Sequence, residues 1–274
     1  MLTPIPGYRD AGQGPPVVCI HGSASSSGQW RSLMDRLSDR FRLIAPDLYG
    51  HGRTPPWPDH RGMHVDDEVD LLEPIFRLAA GPFHLIGHSW GGAIALKAAL
   101  RHLPRLLSLV LYEPALWSLL IAADPCSAPA RDIITNRDET QRLIDERDYA
   151  AAGEYFIDYW IGPGTWKGMT EARRSAFAVG MGAASPEWHA SWNDATPLAA
   201  FAAVDVPTLL LSGARSTPPA RAMTTLLSPV LPHAEILELE GIGHMGPVTH
   251  AEVVNGAIET FLLKISGYQA DPRT

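Results

Sequence analysis

The sequence predicts an α/β protein whose mostly parallel sheet is covered by helices on both faces. Short apolar runs alternate with longer helical stretches up to Tyr112, and the alternation resumes near Val206. Between these two parts, residues 115–197 show helical patterns but no convincing strand. Because alternating strands and helices form parallel sheets with right-handed crossovers, the middle stretch is predicted to be an insertion into a single sheet.

Each predicted element is supported by its hydrophobic pattern and by the turn residues that flank it. The predicted strands cover residues 2–10 (a short edge strand), 17–20, 41–45, 82–86, 106–112, 206–213 and 234–239. The predicted helices outside the insertion lie just after residue 30 and at 64–79, 93–100, 218–228 and 249–263.

Composition restricts the class of protein. A chain of 274 residues, 46% of them hydrophobic, is long enough to bury a large core. Its net charge of -8 is not concentrated in an acidic or basic block, so we expect no nucleic-acid partner. Two cysteines predict no disulfide framework. No stretch resembles a signal peptide or a membrane span, so we expect a cytoplasmic protein without membrane contact.

The turn at residues 87–92 is the centre of the predicted site. It reads Gly-His-Ser-Trp-Gly-Gly between an apolar strand and a helix rich in alanine and leucine. This G-x-S-x-G pattern places a serine on a strained strand-to-helix turn, with its hydroxyl raised above the sheet. Glycines at 87 and 91 remove the Cβ atoms that would clash there. Ser89 is therefore the predicted nucleophile.

Four motifs together resemble those of the α/β-hydrolase family. They are His21-Gly22, Pro46-Asp47 with Gly50-His51-Gly52-Arg53, the turn at 87–92, and Gly243-His244, in the order that the family shows. The resemblance extends from about Tyr8 to the last helix. It implies the α/β-hydrolase fold but does not specify the reaction, because this fold hosts many chemistries.

The resemblance also implies a base and an oxyanion hole. A serine hydroxyl needs a base within hydrogen-bond reach, and the family keeps that base after the last strand, where this chain has His244. The oxyanion hole is expected to consist of the backbone N–H groups of Ser23 and Trp90.

The acid departs from the family's usual pattern. The family usually places an aspartate in the loop after the sixth predicted strand, but Ser216 occupies that position. Some members, haloalkane dehalogenases among them, take the acid from the end of the preceding strand, where this chain has Glu113. Glu240 would be hard to orient toward His244, and Asp205 lies at the wrong strand end. Glu113 is therefore the predicted acid.

The insertion is predicted to be a helical lid over the carboxyl ends of the strands, where sheets of this type place their sites. Residues 1–114 and 198–274 would form the core, and residues 115–197 the lid. The lid is rich in tryptophan, which indicates an apolar substrate pocket, although packing within the lid is the alternative role. The residues predicted to line the pocket are Trp117, Trp160, Trp188 and Met245.

These residues predict a serine hydrolase that cleaves a carboxylic ester or lactone with an apolar group. Dehalogenases and epoxide hydrolases resemble the chain in the tryptophan after the nucleophile, but they use an aspartate where this chain has Ser89. The alternatives are a carbon–carbon bond hydrolase of the meta-cleavage type, a perhydrolase or haloperoxidase-like enzyme, and a ligand receptor on a hydrolase scaffold. Without metal-ligand spacing or a dinucleotide glycine motif, we expect no metal and no organic cofactor.

Overall fold

A seven-stranded sheet forms the centre of the computed structural model, which describes residues 4–58, 61–181 and 185–267. The strands are Tyr8–Ala11 (β1), Pro16–Ile20 (β2), Arg42–Pro46 (β3), Phe83–His88 (β4), Leu106–Tyr112 (β5), Thr208–Gly213 (β6) and Ala234–Leu239 (β7). Their order in the sheet is β1-β3-β2-β4-β5-β6-β7. Only β1 pairs in the antiparallel sense, and the other neighbours are parallel. The predicted fold class is confirmed.

Helices cover both faces of this sheet. They are Arg31–Leu37 (α1), Val65–Leu78 (α2), Trp90–His102 (α3), Trp117–Ala123 (α4), Ala128–Asp145 (α5), Tyr149–Trp160 (α6), Thr165–Gly168 (α7), Glu171–Met181 (α8), Ser185–Asn193 (α9), Pro218–Leu227 (α10), Gly246–Thr249 (α11) and Ala251–Ile265 (α12). Short 3-10 helices occur at Ser27–Trp30, Leu103–Arg105 and Leu198–Ala203. No helix in these described ranges is long and apolar enough to cross a bilayer.

The core consists of two layers because successive side chains of a strand point to opposite faces. In β5, Leu109 and Leu111 join a cluster with residues of α2, α3 and α10. Val110 and Tyr112, which point to the opposite face of the sheet, join a second cluster with residues of α1 and α12. Strands that are buried on both faces read as continuous apolar runs, which is why the sequence pattern identified them.

The observed elements differ most from the predicted ones at the two ends of the chain. The first strand begins at Tyr8 rather than near residue 2, and it pairs antiparallel with β3. Residues 2 and 3 of the predicted strand lie outside the described residues. The last predicted helix is divided into α11 and α12 because His250 has a non-helical backbone, with φ -134° and ψ 44°.

The segment between β5 and β6 is helical, as the sequence predicts. Helices α4 to α9 follow one another there, and the described part of the segment contains no strand. Helix α9 packs against α2, α3 and α4, so the segment rests on the sheet domain.

Candidate active site

Ser89 lies on a strained turn between β4 and α3. Its backbone has φ 53° and ψ -117°, a region that residues with a Cβ rarely adopt. Hydrogen bonds hold this conformation from both sides. The Ser89 N–H donates to the carbonyl of Tyr112 (3.0 Å), and its carbonyl accepts from the N–H groups of Gly92 (2.9 Å), Ala93 (3.1 Å) and Ala115 (2.9 Å).

The glycines of the turn allow β2 and the turn to approach closely. A Cβ at Gly91 would lie 2.4 Å from the carbonyl oxygens of both Ile20 and His21. A Cβ at Gly87 would lie 2.4 Å from the Gly91 carbonyl oxygen. Both distances are far shorter than a van der Waals contact. The two glycines therefore bring the loop after β2 beside Ser89.

The structure brings together the three side chains of the predicted triad. Ser89 follows β4, Glu113 follows β5, and His244 lies in the loop after β7. His244 Nε2 is 2.9 Å from Ser89 Oγ, and His244 Nδ1 is 2.7 Å from Glu113 Oε2. Because the carboxylate accepts the Nδ1 proton, Nε2 is free to accept the serine proton.

The Glu113 carboxylate is fully buried yet well supplied with hydrogen-bond donors. Its Oε1 accepts from Ser212 Oγ (3.0 Å) and from the Gly213 N–H (2.7 Å). Burial acts to raise the pKa of the carboxyl, but the hydrogen bond and charge of His244 outweigh it, with smaller contributions from Ser216 and the Gly213 N–H. The pKa of Glu113 consequently lies below its ordinary value, so the group is anionic.

The alternative carboxylates are not placed to replace it. Glu240 is exposed. Asp205 Oδ1 pairs with His233 Nε2 at 2.7 Å on the surface, where the aspartate side chain is 74% exposed. Among the described residues, no group of three histidine, cysteine, aspartate or glutamate side chains is arranged to hold a metal ion.

Two buried side chains position the loop that carries His244. His88 Nε2 donates to the His244 carbonyl (2.9 Å), and the Tyr112 hydroxyl donates to the Gly243 carbonyl (2.7 Å). Burial and the neighbouring His244 lower the pKa of His88 well below its usual value, so its ring stays neutral. Sequence reasoning missed this role, because His88 occupies a variable position of the G-x-S-x-G pattern.

The two predicted oxyanion-hole amides belong to loops that meet at Ser89. Trp90 is the first residue of α3, so its N–H has no acceptor within the helix. Ser23 follows the His21-Gly22 motif and precedes Ala24, whose φ is 54°. In the described parts of the chain, neither N–H donates a hydrogen bond. Their role as oxyanion donors stays a prediction.

A pocket opens beside Ser89 between the sheet and the helices of residues 115–197. It leaves about 50 Å³ accessible to the centre of a water molecule. All four predicted pocket residues line it: Trp117, Trp160, Trp188 and Met245. The ring centroids of Trp160 and His244 are 4.5 Å apart, and Trp160 stacks on Trp117 at 5.9 Å. The wall nearest the base is therefore aromatic.

Four further polar residues line this pocket and were missed from the sequence: Asn136, Arg137, Glu187 and Ser191. The Arg137 guanidinium lies 4.5 Å from the ring centroid of Trp192. Their spacing on α5 and α9 resembles that of ordinary surface positions, and no sequence signal would have distinguished them.

This fold, with a serine, a histidine and a carboxylate at the carboxyl ends of parallel strands, is that of an α/β hydrolase. The family model described as "Alpha/beta hydrolase family" matches residues 17–257. The chain therefore belongs to the alpha/beta hydrolase family.

Individual relatives agree with this assignment. Haloalkane dehalogenase 2 of Mycobacterium tuberculosis is 28% identical over 159 residues, which are 58% of this chain and 52% of the relative. The pimeloyl-[acyl-carrier protein] methyl ester esterase of Nitrosomonas europaea is 35% identical over 150 residues, 53% of this chain and 54% of the relative. The chain thus spans about half the length of these relatives. An α/β hydrolase structure from Sphaerobacter thermophilus has a TM-score of 0.69 and 26% identity, covering 92% of this chain and 95% of that one.

Replacement of Ser89 by glycine should relieve the strain of the turn, whereas replacement by alanine should not. Both variants lose the hydroxyl, so the loss of its hydrogen bond contributes equally to their free energies of unfolding. Glycine adopts a positive φ at little cost. We expect the free energy of unfolding in urea to be greater for Ser89→Gly than for Ser89→Ala by about 1 kcal/mol. Equal stabilities would show that the turn is unstrained.

Proposed function

We propose that the chain is a serine hydrolase that cleaves a carboxylic ester or a lactone through an acyl-enzyme on Ser89. The observation that supports this most strongly is the unbroken chain of hydrogen bonds from Ser89 Oγ through the His244 ring to the Glu113 carboxylate. Similarity to a methyl ester esterase also favours an ester substrate. A serine hydroxyl cannot perform the direct carboxylate attack of a dehalogenase, so the similarity to a dehalogenase concerns the scaffold.

The first half of the proposed reaction forms the acyl-enzyme. His244 Nε2 takes the proton of Ser89 Oγ as the oxygen attacks the carbonyl carbon of the substrate. The anionic Glu113 holds the ring in the required tautomer and stabilises the imidazolium. The oxygen of the tetrahedral intermediate accepts hydrogen bonds from the Ser23 and Trp90 N–H groups. The alcohol then leaves with the proton from Nε2.

The second half of the reaction releases the acid. His244 deprotonates a water molecule, which attacks the acyl carbonyl, and Ser89 recovers its proton as the acyl bond breaks. The helices of residues 115–197 act as the lid that limits the size of the acyl or alcohol group. The aromatic side chains lining the pocket support an apolar group in that place.

Covalent labelling tests the nucleophile directly. A fluorophosphonate should label the wild-type protein once, at Ser89, and the protein should hydrolyse members of a graded panel of 4-nitrophenyl esters and lactones. The Ser89→Ala variant should lose both labelling and turnover while its circular dichroism spectrum is unchanged. Turnover that survives this substitution would refute the serine mechanism. Activity confined to a carbon–carbon bond substrate of the meta-cleavage type would refute the ester assignment.

Loss of the charge of Glu113 should slow the reaction severely. The Glu113→Gln variant keeps the size of the side chain but cannot stabilise an imidazolium. We expect kcat to fall by about 10³ or more, because an amide in place of the triad acid costs about 10⁴ in a serine protease. The matched control is Glu240→Gln, the same chemical change at an exposed carboxylate, which should leave kcat unchanged. Equal kcat values in the two variants would remove Glu113 from the mechanism.

Substitution of Trp160 should change the preferred chain length of the substrate. The Trp160→Phe variant widens the pocket beside His244 and should raise the ratio of kcat/KM for hexanoate over acetate esters by about tenfold. The matched control is Trp166→Phe, since Trp166 is buried against Gly153 and Phe177, away from the pocket. If both variants gave the same ratio as wild type, the pocket tryptophans would serve packing alone.

A further inference from the structure

The carboxyl group of Glu187 lies in the wall of the active-site pocket, where the side chains of Ser23 and His51 are its polar neighbours. The residue is only 2% exposed, on α9, and it lines the pocket together with Ser23, Ser89 and Trp90. Among the described residues, neither of its carboxyl oxygens has a partner with hydrogen-bonding geometry. An unsatisfied buried carboxyl is costly, so its retention calls for an explanation.

His51 is the nearest basic neighbour, yet its ring proton is already in use. His51 Nδ1 lies 3.3 Å from Glu187 Oε1 but 2.7 Å from the Tyr49 carbonyl oxygen, to which it donates. The other nitrogen, Nε2, accepts from the Ala24 N–H at 3.2 Å. A neutral imidazole has a single N–H, so this ring leaves the carboxyl without a committed donor.

A second buried carboxyl, that of Glu68, is affected by the charge of Glu187. Glu68, on α2, is fully buried, and only its Oε2 accepts a hydrogen bond, from the Tyr49 N–H at 3.4 Å. Burial and the charge of Glu187 both raise the pKa of Glu68. Burial raises the pKa of Glu187 as well, and His51 and Ser23 offset it in part. The buried oxygens of Glu187 are thus left to accept a hydrogen bond from a group that enters the pocket.

The neighbouring groups favour a hydroxyl as the missing partner over an ammonium group. Burying an ammonium group against the aromatic wall would cost far more than burying a hydroxyl. A hydroxyl supplies a hydrogen-bond donor to the carboxyl without adding a charge to the pocket. The rest of the wall is largely aromatic, including Trp117, Trp160 and Trp188, so one polar contact there would fix the orientation of a ligand.

We propose that Glu187 is a specificity-determining residue that hydrogen-bonds a hydroxyl group of the substrate, so that the preferred substrates are hydroxylated esters or lactones. This inference rests on the proposed function, because it concerns the same pocket. Glu187 lies beside the side chain of Ser23 and lines the same pocket as Ser89, so the hydroxyl belongs within a few bonds of the scissile carbonyl. A site built to bond a hydroxyl discriminates strongly against the analogue that lacks it.

Matched substrates test the inference. The 4-nitrophenyl esters of 3-hydroxybutyrate, butyrate, 3-methoxybutyrate and 3-aminobutyrate differ in one substituent, and propyl and 2-hydroxypropyl acetate place the hydroxyl on the alcohol side. For wild-type protein, kcat/KM should be at least about tenfold greater for one hydroxylated ester than for its unsubstituted partner. The methoxy ester, which accepts but cannot donate, and the ammonium ester should share none of this advantage.

Two substitutions then locate the effect. Glu187→Met keeps the length of the side chain but removes its polar group. The ratio of kcat/KM for the hydroxylated ester to that for the unsubstituted ester should then fall close to one, because kcat/KM for the unsubstituted ester rises. The glutamine side chain of Glu187→Gln still donates and accepts hydrogen bonds, so this variant should keep most of the preference for the hydroxylated ester. It also serves as a control that the site tolerates substitution. Glu240→Gln makes the same chemical change at an exposed carboxylate outside the pocket lining and should leave the ratio unchanged.

The outcomes separate this inference from the function on which it rests. Fluorophosphonate labelling and hydrolysis of unsubstituted esters, without preference for a hydroxylated ester, would overturn the role of Glu187 alone. A preference that survives Glu187→Met, or one for the ammonium ester, would overturn it as well. Absence of both labelling and ester hydrolysis would instead refute the serine hydrolase.

Discussion

The backbone conformation of Ser89 is the constraint on which the site depends. A φ of 53° is unfavourable for serine, and it persists because four hydrogen bonds fix the peptide groups on either side of it. These bonds come from the end of β5, from the first turn of α3 and from Ala115, so the turn forms only when the sheet and its neighbours are assembled. The same turn presents the Ser89 hydroxyl to His244.

Two carboxyl groups in this region behave in opposite ways because of their surroundings. Both Glu113 and Glu187 are buried, and burial alone would raise the pKa of each. Glu113 faces three hydrogen-bond donors, which stabilise its charge, while Glu187 has no partner of hydrogen-bonding geometry among the described residues. The first is suited to hold a cationic ring, and the second is left to accept a hydrogen bond from a ligand. Burial does not decide the role of such a residue; its hydrogen-bond partners do.

Local pattern was sufficient to predict the fold and the position of Ser89, because buried strands and the glycine-flanked turn are encoded within a few consecutive residues. Glu113 was predicted from its place at the end of β5, since the ends of neighbouring parallel strands must lie side by side. The placement of Glu187 beside Ser23 and His51 could not be predicted this way. It depends on how α9 packs against the sheet domain, and contacts between elements more than a hundred residues apart leave no periodic signal in one sequence.

The hydrogen bonds at Ala115 also join the helical segment to the turn that carries Ser89. The Ala115 N–H is bonded to the Ser89 carbonyl, and the Ala115 carbonyl accepts from the Ser191 hydroxyl of α9. The chain between Glu113 and Ala115 is thus fastened to the nucleophile turn as well as to the segment it introduces. A rigid rotation of these helices about their first residue would pull on the peptide of Ser89. Ala115 therefore couples the nucleophile turn to α9, the last helix of the segment, so a displacement of that helix would be transmitted to Ser89.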